Sequence, residues 1–187
     1  MKRQVKPSRP IYPTPAGLVT SVRADGSPNI ITLAEICNLS IGNPVVVGLG
    51  IAPERLSYEL IEESREFVVN LPSADILEKV DRCGSMSGRD IPNKFEAAGL
   101  TPVPASVVRP PLIAECPVNL ECRLIRIDKN IGDHDLFIGE VVAQHIDEEC
   151  LSDDGRILID NIGGLAYVLG EYWTLGERLG RHGFSGR

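Results

Sequence analysis

Aromatic residues are scarce in this chain: four phenylalanines, four tyrosines and one tryptophan are all the rings that 187 residues carry. A flat ligand would therefore find few stacking partners. Long apolar runs are missing too, the stretch at 44–49 being less than half of the ~20 residues that a helix needs to cross a bilayer. The five cysteines form no Cys-x-x-Cys pair and have no histidine at ligand spacing, which argues against a zinc site. Their odd number and sparse spacing read as reduced thiols. Basic charge is in deficit, with 19 Lys and Arg against 26 Asp and Glu and a formal charge of −7. A field of that sign repels nucleic acid and anionic membranes, and no local basic patch offsets it, so neither is expected as a partner. The basic start runs into Pro10, Pro13 and Pro15 rather than an apolar segment, so no secretory signal is read and a cytoplasmic protein is expected.

What the chain does have is 43% hydrophobic and 24% charged residues, a globular balance, together with 18 glycines and 14 prolines that imply many turns. One domain over 1–187 is expected. Residues 18–22 and 30–34 are β-rich and flank Asp25-Gly26, a hairpin signal. Residues 44–49 read as a strand buried on both faces, 53–64 as a helix with proline in its first turn, and 67–71 as a further strand. Ser73 can cap a short helix, 85–90 form a polar loop, and 92–98 a second short helix ended by Gly99. Two long strands at 119–128 and 135–145 follow, and 156–160 reads as another. The alternation is too irregular for a doubly wound sheet, so a mainly β, mostly antiparallel barrel with peripheral helices is expected.

Two motifs come close to known chemistry and fall short of it. Gly48-Leu49-Gly50 lies between a strand and a helix as a dinucleotide fingerprint would, but Pro53 takes the third glycine and Asn70 stands where a ribose-binding acid belongs. The strand-to-helix junction still offers helix amides to an anion. Gly84-Ser85-Met86-Ser87-Gly88 has methionine where a hydrolase elbow needs serine.

Separated segments, taken in order, resemble the flavin reductase-like family of FMN-binding split barrels. They are Leu18-Val19-Thr20 with Gly26-Ser27-Pro28-Asn29; Ser40-Ile41-Gly42-Asn43-Pro44; Arg55-Leu56-Ser57-Tyr58; Phe67-Val68-Val69-Asn70-Leu71-Pro72; Ser87-Gly88-Arg89-Asp90 leading to Lys94-Phe95; Gly132-Asp133-His134; and the tail from Tyr167 to Phe184. The resemblance spans residues 14–184 and implies a split β-barrel homodimer that binds FMN. The resemblance further implies that it passes electrons from NAD(P)H or a protein donor to free flavin, ferric iron or another acceptor. A flavoredoxin-type carrier without a nicotinamide site, or a flavin-binding protein without turnover, are the other readings.

The resemblance also assigns residues. Asn29, Thr32, Ala34, Glu35, Cys37 and Ser40 belong to the segment that runs along the flavin ring, where small side chains allow main-chain contact. Arg55, Ser57 and Tyr58, with Lys94 as a second cation, match positions near the phosphate. His134 matches a histidine near the flavin and is the catalytic candidate, able to donate a hydrogen bond to the pyrimidine edge. Tyr167 matches a tail aromatic that packs on the ring. On the residues alone, Arg55 and Lys94 read equally as a solvated helix face, and His134 as a turn histidine facing water. Many relatives carry an aromatic where Glu35 stands, and its carboxylate would disfavour negative charge on a nearby ring.

Overall fold

The computed structural model describes residues 1–8 and 11–186. Its principal sheet has seven strands. In chain order the first five elements are β1 (Thr14–Pro15), β2 (Gly17–Val22), β3 (Pro28–Leu33), β4 (Ile36–Ser40) and β5 (Val46–Ile51). After helix α1 (Leu56–Ser64) come β6 (Glu66–Leu71), α2 (Leu77–Ser85), α3 (Lys94–Ala98) and the short β7 (Pro102–Val103) and β8 (Leu112–Ile113). Then follow β9 (Val118–Asp128), β10 (Asp135–Ile146), the single helical turn α4 (Ile159–Ile162), β11 (Leu165–Val168) and β12 (Glu171–Thr174). The large sheet runs β3-β2-β6-β9-β10-β5-β4, and β1-β11-β12 make a small one beside it.

That strand order dictates the shape. The two outermost strands, β3 and β4, are consecutive in the chain and separated only by Ala34 and Glu35. In a flat sheet, strands spaced ~4.8 Å apart would put those edges roughly 29 Å from each other. Three Cα steps from Leu33 to Ile36 span at most about 11 Å. The sheet must therefore curl until its edges meet at one corner, and it does so as a barrel that is split there.

The interior is filled by Val19, Ile31, Leu49, Phe67, Val69 and Phe137 with their neighbours. Gly139 on β10 is required by this packing, because a Cβ there would come within 2.4 Å of the Phe67 ring. A second cluster lies outside β2 and β3, where Leu18 and Ile30 meet Val80, Cys83, Phe95 and Leu165 under α2, α3 and β11. With both of its faces covered, β2 is buried along its whole length. Thr20 and Thr32, which face outward on these strands, satisfy their hydroxyls on Pro111 O and Val80 O, both at 2.6 Å.

Most of the expected elements are present. Asp25 closes the β2–β3 turn by accepting from Ser27 N at 2.9 Å, with Gly26 at φ +87°. Asn93 caps α3 and Gly99 ends it in the left-handed region. Strand β4 is an addition to the sequence reading: its residues 37–39 are exposed and lack the apolar alternation of a half-buried strand. The strand expected at 156–160 is not formed. Gly155, at φ +76°, turns the chain back, Ile157 makes one isolated bridge to Leu151, and Ile159 begins a helical turn. Ile157, Leu158 and Ile159 are exposed, with no sheet beside them to join.

One buried charge secures the outer face of the barrel. Glu121, on β9, is fully buried. It accepts from Ser106 N at 2.8 Å, Ser106 Oγ at 2.6 Å, Val107 N at 2.6 Å, Val108 N at 2.9 Å and His145 Nε2 at 2.7 Å. Burial alone would raise this carboxyl's pKa, but the hydrogen bonds from Ser106, His145 and Val107 outweigh it and hold the group at about 2, against an ordinary 4.5. Because the folded-state value is depressed, the contribution to stability is complete above pH 4.5 and is lost as pH falls from there toward 2. Glu121→Gln, which turns an amide donor toward backbone donors, is expected to cost roughly 3 kcal/mol at pH 7. Denaturant unfolding from pH 7 to pH 2 checks this: the gap between variant and wild type should close as the solution is acidified below pH 4.5.

Candidate functional site

Where the barrel edges meet, a cavity of about 680 Å3 opens between β3, the N-terminus of α1, the C-terminal half of α2, the 85–89 loop and the β11–β12 hairpin. A volume of this size is typical of sites that enclose one organic ligand.

Its α1 end gathers groups that suit an anion. The helix is entered through Arg55 in extended conformation, which makes no side-chain hydrogen bond to the first-turn amides. Of the first-turn amides, Tyr58 N donates to Arg55 O at 3.0 Å, so those of Leu56 and Ser57 are the ones a ligand could take. Lys94, at the start of α3, is only 2% exposed and donates from Nζ to Cys83 O at 2.7 Å and Met86 O at 2.9 Å. Among the described residues no carboxylate pairs with it. Burial lowers its pKa, and the Arg55 charge adds to that effect while Cys83 opposes it. Both cations line the same cavity, and the solvated-face reading does not apply to the buried Lys94. Arg55 itself is more open, with its side chain 56% exposed and a loose 3.9 Å contact to Glu54.

Asn29 and Ser57 lie at the same end. Asn29 is 2% exposed and donates from Nδ2 to Ser57 Oγ at 2.8 Å. Its Oδ1 has no partner, one of two such buried side-chain atoms among the described residues. An orphaned buried acceptor carries a desolvation cost that a ligand hydroxyl or amide in the cavity would remove. Gly88 closes this wall, because a Cβ there would fall 2.2 Å from Asn29 Oδ1 and 2.9 Å from Leu56 Cδ2. Arg89 is fastened to Glu59 on α1.

The remaining walls are more mixed. Ala34, Glu35, Thr32, His134 and Tyr167 all line the cavity. Glu35 and His134 flank Gly50, whose notional Cβ would lie 2.8 Å from Glu35 Cβ and 3.7 Å from His134 Cβ. The His134 Nδ1 is 3.0 Å from Asp133 Oδ1. Tyr167 and Tyr172 meet edge to face at 5.4 Å, and the Tyr172 hydroxyl donates to Asp81 at 3.2 Å. Burial, and after it the Asp81 charge, pushes that phenol up to about 12.

Nine of the twelve expected cofactor-binding residues are thus brought together: Asn29, Thr32, Ala34, Glu35, Arg55, Ser57, Lys94, His134 and Tyr167. Three are not among the cavity-lining residues. Tyr58 points into the barrel, packs on Phe137 and donates to Asp135 at 2.8 Å, because it lies on the inward face of α1. Cys37 sits exposed on β4 over Gly48, and Ser40 closes the β4–β5 turn on Pro44 O at 2.8 Å. Tyr172 and Asp81 belong to the lining without having been assigned to it. The Tyr172 signal was available: Leu169 and Gly170, both at positive φ, make a two-residue hairpin turn that pairs Tyr167 with Tyr172. Asp81 had none.

The comparisons with known proteins agree with this geometry. The Flavin reductase like domain matches residues 8–175. A protein of Archaeoglobus fulgidus is 36% identical over 146 residues, 78% of each chain. Among solved structures, flavoredoxin of Desulfovibrio vulgaris (Miyazaki F) superposes with a TM-score of 0.91 at 31% identity over 100% of both chains. The FMN-binding domain of a flavin reductase-like enzyme from Shewanella baltica OS155 does so at 0.78 and 27% identity, over 89% of this chain and 88% of that one. The residues present suit FMN: a buried lysine and helix amides for its phosphate, an orphaned acceptor for a hydroxyl, and a tyrosine pair for its ring. With its sheet split at the corner where this cavity opens, the chain belongs to the flavin reductase-like family.

Proposed function

We propose that this protein is an FMN-dependent oxidoreductase that takes electrons from NAD(P)H and delivers them to free flavin, ferric iron or another acceptor. The observation that carries the reading is Lys94, a buried cation without a carboxylate partner among the described residues, in the wall of a flavin-sized cavity beside an uncapped helix N-terminus. Burying a charge is costly unless it is paired, and a phosphate would complete the pair. When bound, the flavin supplies the two-electron chemistry.

The side chains then divide the work of holding and tuning. Lys94, Arg55 and the first-turn amides of α1 bind the phosphate, and Asn29 and Ser57 meet the polar chain next to it. The tyrosine pair offers an apolar, edge-stacked wall to the ring. His134, oriented by Asp133 through Nδ1, keeps Nε2 for the ring's polar edge, while the Glu35 carboxylate across Gly50 works against negative charge in the same place. No protein acid or base is required for hydride transfer.

A second reading, favoured by the 0.91 superposition on flavoredoxin, is an electron carrier that holds FMN without a nicotinamide site. Steady-state oxidation of NADH and NADPH with FMN, FAD or a ferric chelate separates the two. A protein that purifies yellow and turns over neither nucleotide is the carrier.

We also infer a homodimer, supported by exposed apolar side chains at Ile41, Leu39, Trp173, Leu175 and Leu179. No described helix is long and apolar enough to cross a membrane.

Three outcomes are expected. Lys94→Met should weaken FMN at least about tenfold more than riboflavin, since only FMN carries the phosphate; fluorescence titration of both ligands decides, and equal losses would remove Lys94 from a phosphate role. His134→Ala should lower the midpoint potential of the bound flavin in a dye-coupled titration, and an unchanged potential would exclude contact. Light scattering should give about twice the chain mass of 20.3 kDa, whereas a flavin-loaded particle of single mass contradicts the dimer.

A further inference from the structure

The wall that closes the phosphate end, residues 86–92, has little packing of its own: 87, 89, 90 and 92 are exposed and only Gly88 is buried. It is held instead by side-chain tethers. Lys94 holds its first carbonyl, Met86 O, and Arg89 ties it to α1. The third tether is Arg23, which the sequence presents only as the first residue of the β2–β3 turn.

Arg23 is fixed at both ends. Its backbone N donates to Ser27 O at 2.9 Å and its carbonyl accepts from Gly26 N at 3.0 Å, so the turn immobilises its Cα. Its guanidinium then spreads over two segments. From Nη1 it donates to Pro28 O at 3.2 Å and Pro92 O at 3.4 Å, and from Nη2 to Gly88 O at 3.0 Å. A contact to Ser27 Oγ at 3.4 Å completes the set. One planar fork thereby joins the carbonyl before Asn29 to two carbonyls of the wall, Gly88 and Pro92. Gly88 is the residue that touches Asn29 Oδ1 and Leu56 at the head of α1, with no room for a Cβ.

We propose that Arg23 is a positioning residue for the phosphate subsite and a determinant of its preference for phosphorylated over unphosphorylated flavin. Arg23 is absent from the cavity lining and acts through Gly88. By holding Gly88 O it keeps the 86–89 backbone against Asn29 and the α1 N-terminus, and so fixes the distance between the amides, Lys94 and the incoming phosphate. Charge-assisted hydrogen bonds fall off steeply with distance and angle, so a loosened wall costs the phosphate contacts first and the ring contacts least. Lysine cannot substitute fully, because a single ammonium does not present the flat, divergent donors that reach Pro28, Gly88 and Pro92 together. The inference rests on the FMN reading above.

The test uses the full chain freed of flavin, with Arg23→Met and Arg23→Lys beside wild type, and dissociation constants for FMN and riboflavin. The FMN-to-riboflavin preference should fall about tenfold in Arg23→Met and by a few-fold in Arg23→Lys. Equal weakening of both ligands, or full recovery of the preference by lysine, overturns the proposal, the latter because charge alone would then suffice. A wild-type chain without any preference for FMN refutes the phosphate reading instead, and this inference with it. Hydrogen exchange of the flavin-free proteins gives a second readout: the amides of Asp90 and Ile91, which bond to Ser87 O at 3.2 and 2.9 Å, should exchange faster in both variants while the barrel strands keep their protection. Unchanged exchange in that segment overturns the proposal as well. Should Arg23→Met fail to fold, Arg23→Lys carries both comparisons.

Discussion

Two residues between the first and last strands of a seven-stranded sheet are the constraint on which this molecule depends. Because Ala34 and Glu35 must connect β3 to β4, the sheet cannot lie flat, and its edges converge without pairing to each other. The corner so formed is where the cavity opens, and the residues that make the connection line it. Curvature, closure and site thus share one cause. The helices add what the corner lacks: α1 brings an uncapped N-terminus to one side, while α2 and α3 cover β3 and bring up Lys94.

Two buried charges illustrate how the protein separates structure from function. Glu121 is surrounded by five donors from its own chain, which satisfy it and lock the 106–108 loop onto the barrel. Lys94 has two carbonyl acceptors and no carboxylate among the described residues. The first is a finished interaction, closed to any ligand. The second leaves charge uncompensated in the wall of a cavity that is also lined by Asn29, whose amide oxygen has no partner. Native chains pair almost all of their buried polar groups, so two shortfalls in the lining of one cavity support its reading as a ligand site.

Much of this was legible in the residues. The Asp25-Gly26 turn, the glycine that ends α3, the two long strands and the apolar stripe of α1 follow from local chemistry and appear where the residues put them. Strand β4 did not, because exposed Cys37, Asn38 and Leu39 have no buried face to impose alternation. The 156–160 segment misled for the opposite reason: its β-branched residues look like a strand, but no neighbouring strand offers them a ladder. Among the site residues, Tyr58 shows the limit of a motif. Consecutive positions on a helix face different ways, so Ser57 lines the cavity while Tyr58 fills the barrel.

The sequence by itself determined the class of fold, the family, the strand-to-helix junction before α1 and most of the residues around it, since these depend on local propensity and on side-chain types in a set order. Only the tertiary structure decided that Lys94 is buried rather than solvated, that Asn29 keeps an unpaired oxygen, that Tyr172 and Asp81 join the wall and that Cys37 does not. The few aromatic residues gain meaning from it as well. Two of the nine stand together at the cavity as a cross-strand pair, Phe67 and Phe137 fill the barrel, and Tyr58 packs on Phe137. Burial and partnership arise from segments far apart in the chain, and no local pattern of residues encodes which of them will meet.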